Sequence, residues 1–256
     1  MQKKVLFALL MIFILGCDVN LDTQPTDTLT PEQLLENPEN LDKTLVGAYA
    51  EAEWLGGDIQ TVTELLANDG YIAYRGTFPD FFEFDRKQVT TTNFTTRFFW
   101  FGTYSSINLC NIVLNNLDLE ENPVIVAQLE GEAKFLRGMQ YFEMVQFYAL
   151  PFELGGSNDQ PGLPLVLDGV TDLGDVVYPS RSNVGEVYAQ IINDLSDAYE
   201  LLPPDNGFRA DAYAARALLA RVYLQQGNYA AARDAAHDVL QNSGHLLAPN
   251  LASAFN

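Results

Sequence analysis

Apolar side chains recur every three or four positions through most of this chain, and breaks in that rhythm divide it into helices and loops. Leu41, Leu45, Ala48 and Ala52 fall on one face of a helix through "LDKTLVGAYAEAEWL", which is expected to break at Gly56-Gly57. Upstream, Thr30-Pro31-Glu32-Gln33 carries start signals: Thr as N-cap, Pro at the first helical position, Gln three after the cap. Trp100, Tyr104, Ile107 and Asn111 share one face of a second helix within "RFFWFGTYSSINLCNIVLNNL". Phe135, Met139, Phe142, Val145 and Ala149 line a third, expected over 125–149 and ended by Pro151. A fourth is expected over 184–202, capped by Ser182 or Asn183 and stopped by Pro203-Pro204. Two stretches lose the period. Residues 68–96 scatter Tyr and Phe among Gly, Pro and Asp, and 151–180 are rich in Gly and Pro. Few segments alternate with a period of two, so the chain reads as mainly α.

The last stretch adds a repeat signal. In "DAYAARALLARVYLQQGNYAAARDAAHDVLQNSG", Ala220, Tyr223, Gly227, Tyr229, Ala232, Ala236 and Val239 fit the tetratricopeptide pattern. Small alanines let two antiparallel helices approach. Gly227 ends the first, Asn228 caps the second, and Tyr223 and Tyr229 are expected to fill the gap between them. One unit cannot bury both faces, so the helices at 125–149 and 184–202 are expected to stack on it. The fold class is a tetratricopeptide-like helical-repeat scaffold with long irregular loops.

The N-terminus changes the picture. Lys3-Lys4 precede an apolar run, Val5 to Leu15, that stops at Gly16-Cys17. Such a run could be a membrane helix, a core helix or a targeting segment; it falls well short of the roughly 20 residues that span a bilayer. Ile14-Leu15-Gly16-Cys17 resembles the bacterial lipobox, in which the cysteine is acylated and becomes the new N-terminus. Residues 1–16 are therefore expected to be a lipoprotein signal peptide, with Cys17 the lipidation site. Residues 17–30 then form an extended tether and 31–256 the helical domain. Cys110 is left without a partner and reads as a small buried hydrophobe. Loss of the two lysines leaves 12 of the 14 basic residues against 34 acidic ones, a formal charge of −22. That surface repels nucleic acid and anionic headgroups, so neither is expected as a partner, and lipid is the expected membrane attachment.

Five segments in order now point to a family: the lipobox cysteine with "DVNLDTQP", then "FFWFGTYSSINLCNIVLNNL", "EAKFLRGMQYFEMVQFYALPF" with "GLPLV", "YPSRSNVGEVYAQIINDLSDAYELLP" and "ARALLARVYLQQGNYAAARDAA". Together they resemble the N-terminal part of the SusD/RagB family of outer-membrane nutrient-uptake lipoproteins. The resemblance implies a lipid-anchored, cell-surface protein that binds oligosaccharide or another nutrient. It would deliver that ligand to a TonB-dependent, SusC-like outer-membrane transporter, without catalysis and without a cofactor. Members carry a further segment after the tetratricopeptide helices, and this chain is expected to lack that C-terminal part. The opposing reading is an envelope-anchored tetratricopeptide adaptor that binds protein and no sugar. The loops at 68–96 and 151–180 favour the first, because a plain adaptor needs neither.

Sugars are held by aromatic faces and by planar polar side chains. The local supply of both lies at 68–85: Asn68, Asp69, Tyr71, Tyr74, Arg75 and Asp80, with Trp54 a further candidate contact at the expected helix end. The Phe residues of this segment are expected to plug it onto the scaffold, and Trp100 is assigned to the core. Asn108 and Asn111 read as helix-packing residues; Glu132, Arg137 and Arg181 read as anchors for neighbouring loops or helix ends. For enzymes the supply is poor. His237 and His245 are the only imidazoles and have no metal-ligand spacing, so no metal is expected. No nucleophile-elbow, P-loop or dinucleotide signature occurs. Carboxylate pairs such as Asp194 and Asp197, or Glu120 and Glu121, fall on what reads as solvated helix surface.

Overall fold

The computed structural model describes residues 36–67, 70–246, 248–250 and 252–254. The signal peptide, the tether with Cys17, the Thr30 start signal, Asn68 and Asp69 lie outside the described residues, as does the side chain of Trp54.

Seven α-helices occur among the described residues: α1 (Glu39–Ala67), α2 (Pro79–Asp85), α3 (Phe94–Asn115), α4 (Pro123–Tyr148), α5 (Val184–Leu201), α6 (Ala212–Gln225) and α7 (Tyr229–Asn242). No strand does; a single antiparallel bridge joins Pro161 to Asn183. The long helices stack in chain order, α1 on α3, then α4, α5, α6 and α7, with α1 also touching α4 and α4 touching α6. This is the geometry of a helical-repeat solenoid, in which each helix pair buries the face its neighbour exposes.

Local chemistry sets the ends. Asn93 accepts from the Thr96 amide at 3.0 Å to cap α3. Pro123 at the first turn and Asn122 as cap start α4 two residues ahead of the sequence expectation. Asn183, rather than Ser182, caps α5 through a reciprocal box with Glu186. Gly227 turns from α6 to α7 at φ +73°, and Asn228 caps α7.

Two elements depart from the periodic reading. Helix α1 passes straight through Gly56-Gly57. Each glycine weakens a helix by about 1 kcal/mol, but Val62 and Leu65 beyond them are buried against Phe84 and Phe99, which holds the second half in register. The irregular segment likewise contains a short helix, α2, started by Pro79 and fastened by the buried Phe84.

The core is continuous along the stack. Leu41, Leu45 and Ala48 of α1 meet Cys110 and Val113 of α3 and Leu136 of α4. Tyr141, Phe142, Tyr188, Ile191 and Leu218 fill the next layers. Trp100 packs between Tyr104 and Tyr148, its ring centroid about 5 Å from each, in the core as expected. Burial pushes the Cys110 thiol up to about 12, so it is inert. Gly131 and Gly138 let α5 approach α4 closely: a Cβ at Gly131 would lie 2.8 Å from Leu202 Cγ. In the α6–α7 pair Tyr223 is partly buried, but Tyr229 is 67% exposed and Ala236 faces solvent; Ala232 and Ala235 make the contact instead.

Buried polar groups tie distant segments together. Asp194 is fully buried, not solvated as its sequence position suggested, and pairs with Arg137, which also donates to Asn111 at 2.8 Å. Asn108 holds the backbone of Val170 rather than another helix, whereas Asn111 does both, accepting from Arg137 of α4 and donating to the Val166 carbonyl. Arg181 donates to the carbonyls of Gly162 and Tyr148, and Glu132 accepts from Asn206 at 2.9 Å, so both anchor loops as expected. The stretch 162–170 of the loop after α4 is thus fastened to α3 and α4, despite having no regular structure.

Candidate functional site

The segment 70–93 carries most of the sequence-selected ligand residues that the structure describes. Its inner residues do the fastening. Phe84 is buried and Phe81 half-buried against α1 and α3. Tyr74 is half-buried too: its ring lies 5.3 Å from Phe81 and 5.0 Å from Phe82, its amide donates to Asp85 at 3.3 Å, and its hydroxyl accepts from the Phe78 amide at 3.0 Å. The arch over Tyr74 is therefore closed by its own ring and hydroxyl.

Glu83 closes the other side. Its carboxylate accepts from the Thr90 amide at 2.8 Å and from Asn93 Nδ2 at 3.0 Å, while Asn93 also donates to the Asp80 carbonyl. These bonds, the Thr90 amide first, hold the Glu83 carboxyl below the usual carboxylate range. One side chain, Asn93, thus caps α3 and joins it to α2. Lys87 turns the chain at φ +56° and reaches the Leu65 carbonyl of α1 at 3.4 Å.

What remains faces water. Tyr71 is 96% exposed, and Arg75 is exposed. Asp80 is half-buried. Of the sequence-selected residues, Tyr71, Tyr74, Arg75 and Asp80 therefore lie on one braced segment; Tyr74 is turned inward and Tyr71 outward. Trp54 is on α1, before the helix turn that carries Ile59. Phe78, expected to plug the loop, is instead 69% exposed, and Phe94 at the start of α3 is 57% exposed with the Arg97 guanidinium over its ring at 5.5 Å. Sequence reading passed over both; the available signal was their place at helix starts, where an apolar residue has no preceding turn to pack on. Exposed rings beside guanidinium and amide groups suit the C–H faces and hydroxyls of a sugar.

Among the described residues the carboxylates singled out as a possible catalytic pair are engaged in ion pairs. Asp194 is spent on Arg137, and Asp197 accepts from Lys134 at 2.7 Å. His245 is 69% exposed and lies 3.7 Å from Asp211. Among the described residues no cluster of three or more His, Cys, Asp or Glu side chains could hold a metal, and no helix is long and apolar enough to cross a membrane.

Comparison with known proteins bears on the same architecture. A family model described as "Starch-binding associating with outer membrane" (SusD-like) matches residues 20–224. The chain is 28% identical over 266 residues to SusD-like protein P2 of Formosa agariphila, covering 100% of this chain and 50% of that protein. Among solved structures it resembles a SusD superfamily protein of Bacteroides thetaiotaomicron, with a TM-score of 0.70, 22% identity, and coverage of 86% of this chain and 48% of the other. It also resembles a laminarin-binding SusD-like protein, with a TM-score of 0.67, 23% identity, and coverage of 84% and 47%. The chain spans about half the length of the curated relatives it matches. With the helical stack and the family match over most of its length, this chain belongs to the SusD/RagB family.

Proposed function

We propose that the chain is a surface-exposed lipoprotein that captures oligosaccharide and delivers it to a TonB-dependent outer-membrane transporter. Membership of a starch-binding, outer-membrane-associating family supports the carbohydrate class. The observation that carries the reading is the 70–93 segment, braced by Glu83, Asn93 and Tyr74, which carries Tyr71 and Arg75 exposed at the surface. A rigid support lowers the entropy lost when a ligand docks. Tyr71 supplies the ring for a pyranose face, and Arg75 and Asp80 supply a donor and an acceptor for hydroxyls; Asn68, Asp69 and Trp54 are the further contacts proposed from the sequence. Cys17 carries the lipid, and more than one acyl chain provides stable anchoring. The ligand leaves chemically unchanged.

The test is capture of neutral oligosaccharides by the mature chain, compared with a Tyr71→Ala, Arg75→Ala variant. The variant is expected to keep its circular-dichroism spectrum and melting point, because both side chains are exposed, and to lose most of the binding. Equal binding by the two proteins would remove this segment from the site.

A further inference from the structure

The loop between α5 and α6 carries the chain's only Asn-Gly dipeptide, Asn206-Gly207. An asparagine followed by glycine is chemically labile, because with no Cβ in the way the next backbone nitrogen can reach the asparagine Cγ. Gly207 lies at φ +66°, and a Cβ there would meet nothing, so the backbone angle alone accounts for glycine at this turn.

The fold grips both reacting groups. Asn206 Nδ2 donates to Glu132 Oε1 and to the Ala210 carbonyl, each at 2.9 Å, and its Oδ1 accepts from Gln128 Nε2 at 3.0 Å. The attacking group, the Gly207 amide, donates to Asp205 Oδ1 at 3.0 Å. Glu132 is fully buried, and Arg209 stands 3.4 Å from it while pairing with Asp42 of α1 at 2.5 Å. The Ala210 amide donates to the hydroxyl of Tyr49, also of α1, at 3.0 Å. Asn206 thus sits at the centre of a latch that joins the loop to α4 directly and to α1 through its neighbours.

We propose that Asn206 is a deamidation site that this latch holds shut, and that its conversion to aspartate unlatches the loop. When the latch opens locally, the Gly207 nitrogen bonds to Asn206 Cγ and gives up its proton to Nδ2, which departs as ammonia. Water then opens the cyclic imide to aspartate or its iso form. One water is consumed and one ammonia released, with no oxidation or reduction. The product cannot close the latch again. A carboxylate has no hydrogens to donate, so the bonds to Glu132 and Ala210 are lost, and a second negative charge faces the buried Glu132. Like charges held together away from water disfavour the ionised pair.

The experiment ages the mature chain at mildly alkaline pH, folded and in urea, and reads deamidation at Asn206 by peptide mass spectrometry. The folded chain is expected to react at least about tenfold more slowly than the unfolded one, since opening the latch breaks more than one hydrogen bond. Gln128→Ala is expected to narrow that gap. Equal rates in the two states, or no reaction in either, would overturn the proposal. The effect of the product is read on Asn206→Asp beside Asn206→Ala, which loses the bonds without adding charge. At neutral pH Asn206→Asp is expected to shift the equilibrium about tenfold further toward the unfolded chain, and the difference to close as pH falls and the new carboxyl takes up a proton. Adding Glu132→Gln is expected to restore most of that loss, because an amide can donate to the new carboxylate. If Asn206→Asp does not fold, folding regained in the double variant supports the proposal and its failure overturns it. Asn206→Asp no less stable than Asn206→Ala would mean that Arg209 absorbs the charge, and would overturn the unlatching.

Discussion

Arg137 of α4 and Asp194 of α5 meet face to face in the core, with Nε 2.9 Å and Nη2 2.7 Å from the two carboxylate oxygens. Burial pushes the Asp194 carboxyl up and the guanidinium pulls it back. Gln190 adds a bond at 3.0 Å to the same carboxylate, and Asn111 accepts from the other face of the guanidinium. Three helices, α3, α4 and α5, thus share one charge pair. Removing either partner leaves the other charged and buried. Arg137→Met or Asp194→Leu is therefore expected to destabilise the chain by about 3–5 kcal/mol, and the double variant by much less. Urea denaturation midpoints of the three variants check this; a double variant no better than the singles would contradict it.

Asn108 acts at longer range in the sequence. It donates to the Val170 carbonyl at 2.9 Å and accepts from the Val170 amide at 2.8 Å, pinning a loop 62 residues away. Asn108→Ala is expected to free both groups and weaken the fold by about 1–3 kcal/mol. Hydrogen exchange should accelerate first at the Val170 amide and its neighbours, before any change in α3 itself.

The same loop is sterically committed at Gly169. A Cβ placed there would lie 2.6 Å from the backbone nitrogen of Ile112 and 2.7 Å from its Cα, atoms that a helix cannot move aside. Gly169→Ala is expected to destabilise by about 1–3 kcal/mol even though alanine reduces unfolded-chain entropy. A melting point at or above wild type would show that the loop sits further from α3.

Glu83 makes the brace at 70–93 pH-dependent. Its folded pKa is lowered by the Thr90 amide and Asn93, so the stability it contributes is complete above the unfolded carboxylate pKa and is lost as pH falls through the lowered folded value. The Thr90 amide resonance is therefore expected to titrate with a midpoint below that of an exposed glutamate, and to stop titrating in that range in Glu83→Gln. A midpoint at or above the ordinary value would mean that the brace does not form.

Much of this architecture was legible in the sequence, because helix period, caps and prolines are local signals. Leu41, Leu45 and Ala48 were placed correctly on a buried face, and Asn228 and Gly227 at the α6–α7 turn. The misreadings share a cause. The break expected at Gly56-Gly57 was overridden by Phe84 and Phe99, which clamp α1 from later in the chain. Asp194 read as a surface carboxylate because its partner is 57 residues away. Phe78 was grouped with its loop neighbours, although residues in such a segment do not share one environment. The latch at Asn206 had no sequence signature beyond its Asn-Gly pair: its partners at 42, 49, 128 and 132 are brought to it only by stacking.

The most direct measurement is to solubilise membranes carrying the full-length gene product in mild detergent and identify what copurifies with it, alongside a Cys17→Ala variant. Surface capture coupled to transport predicts a stoichiometric large β-barrel partner for the wild type, and a Cys17→Ala protein that takes up no labelled palmitate. A soluble partner, or none, or palmitate still incorporated without Cys17, would contradict it.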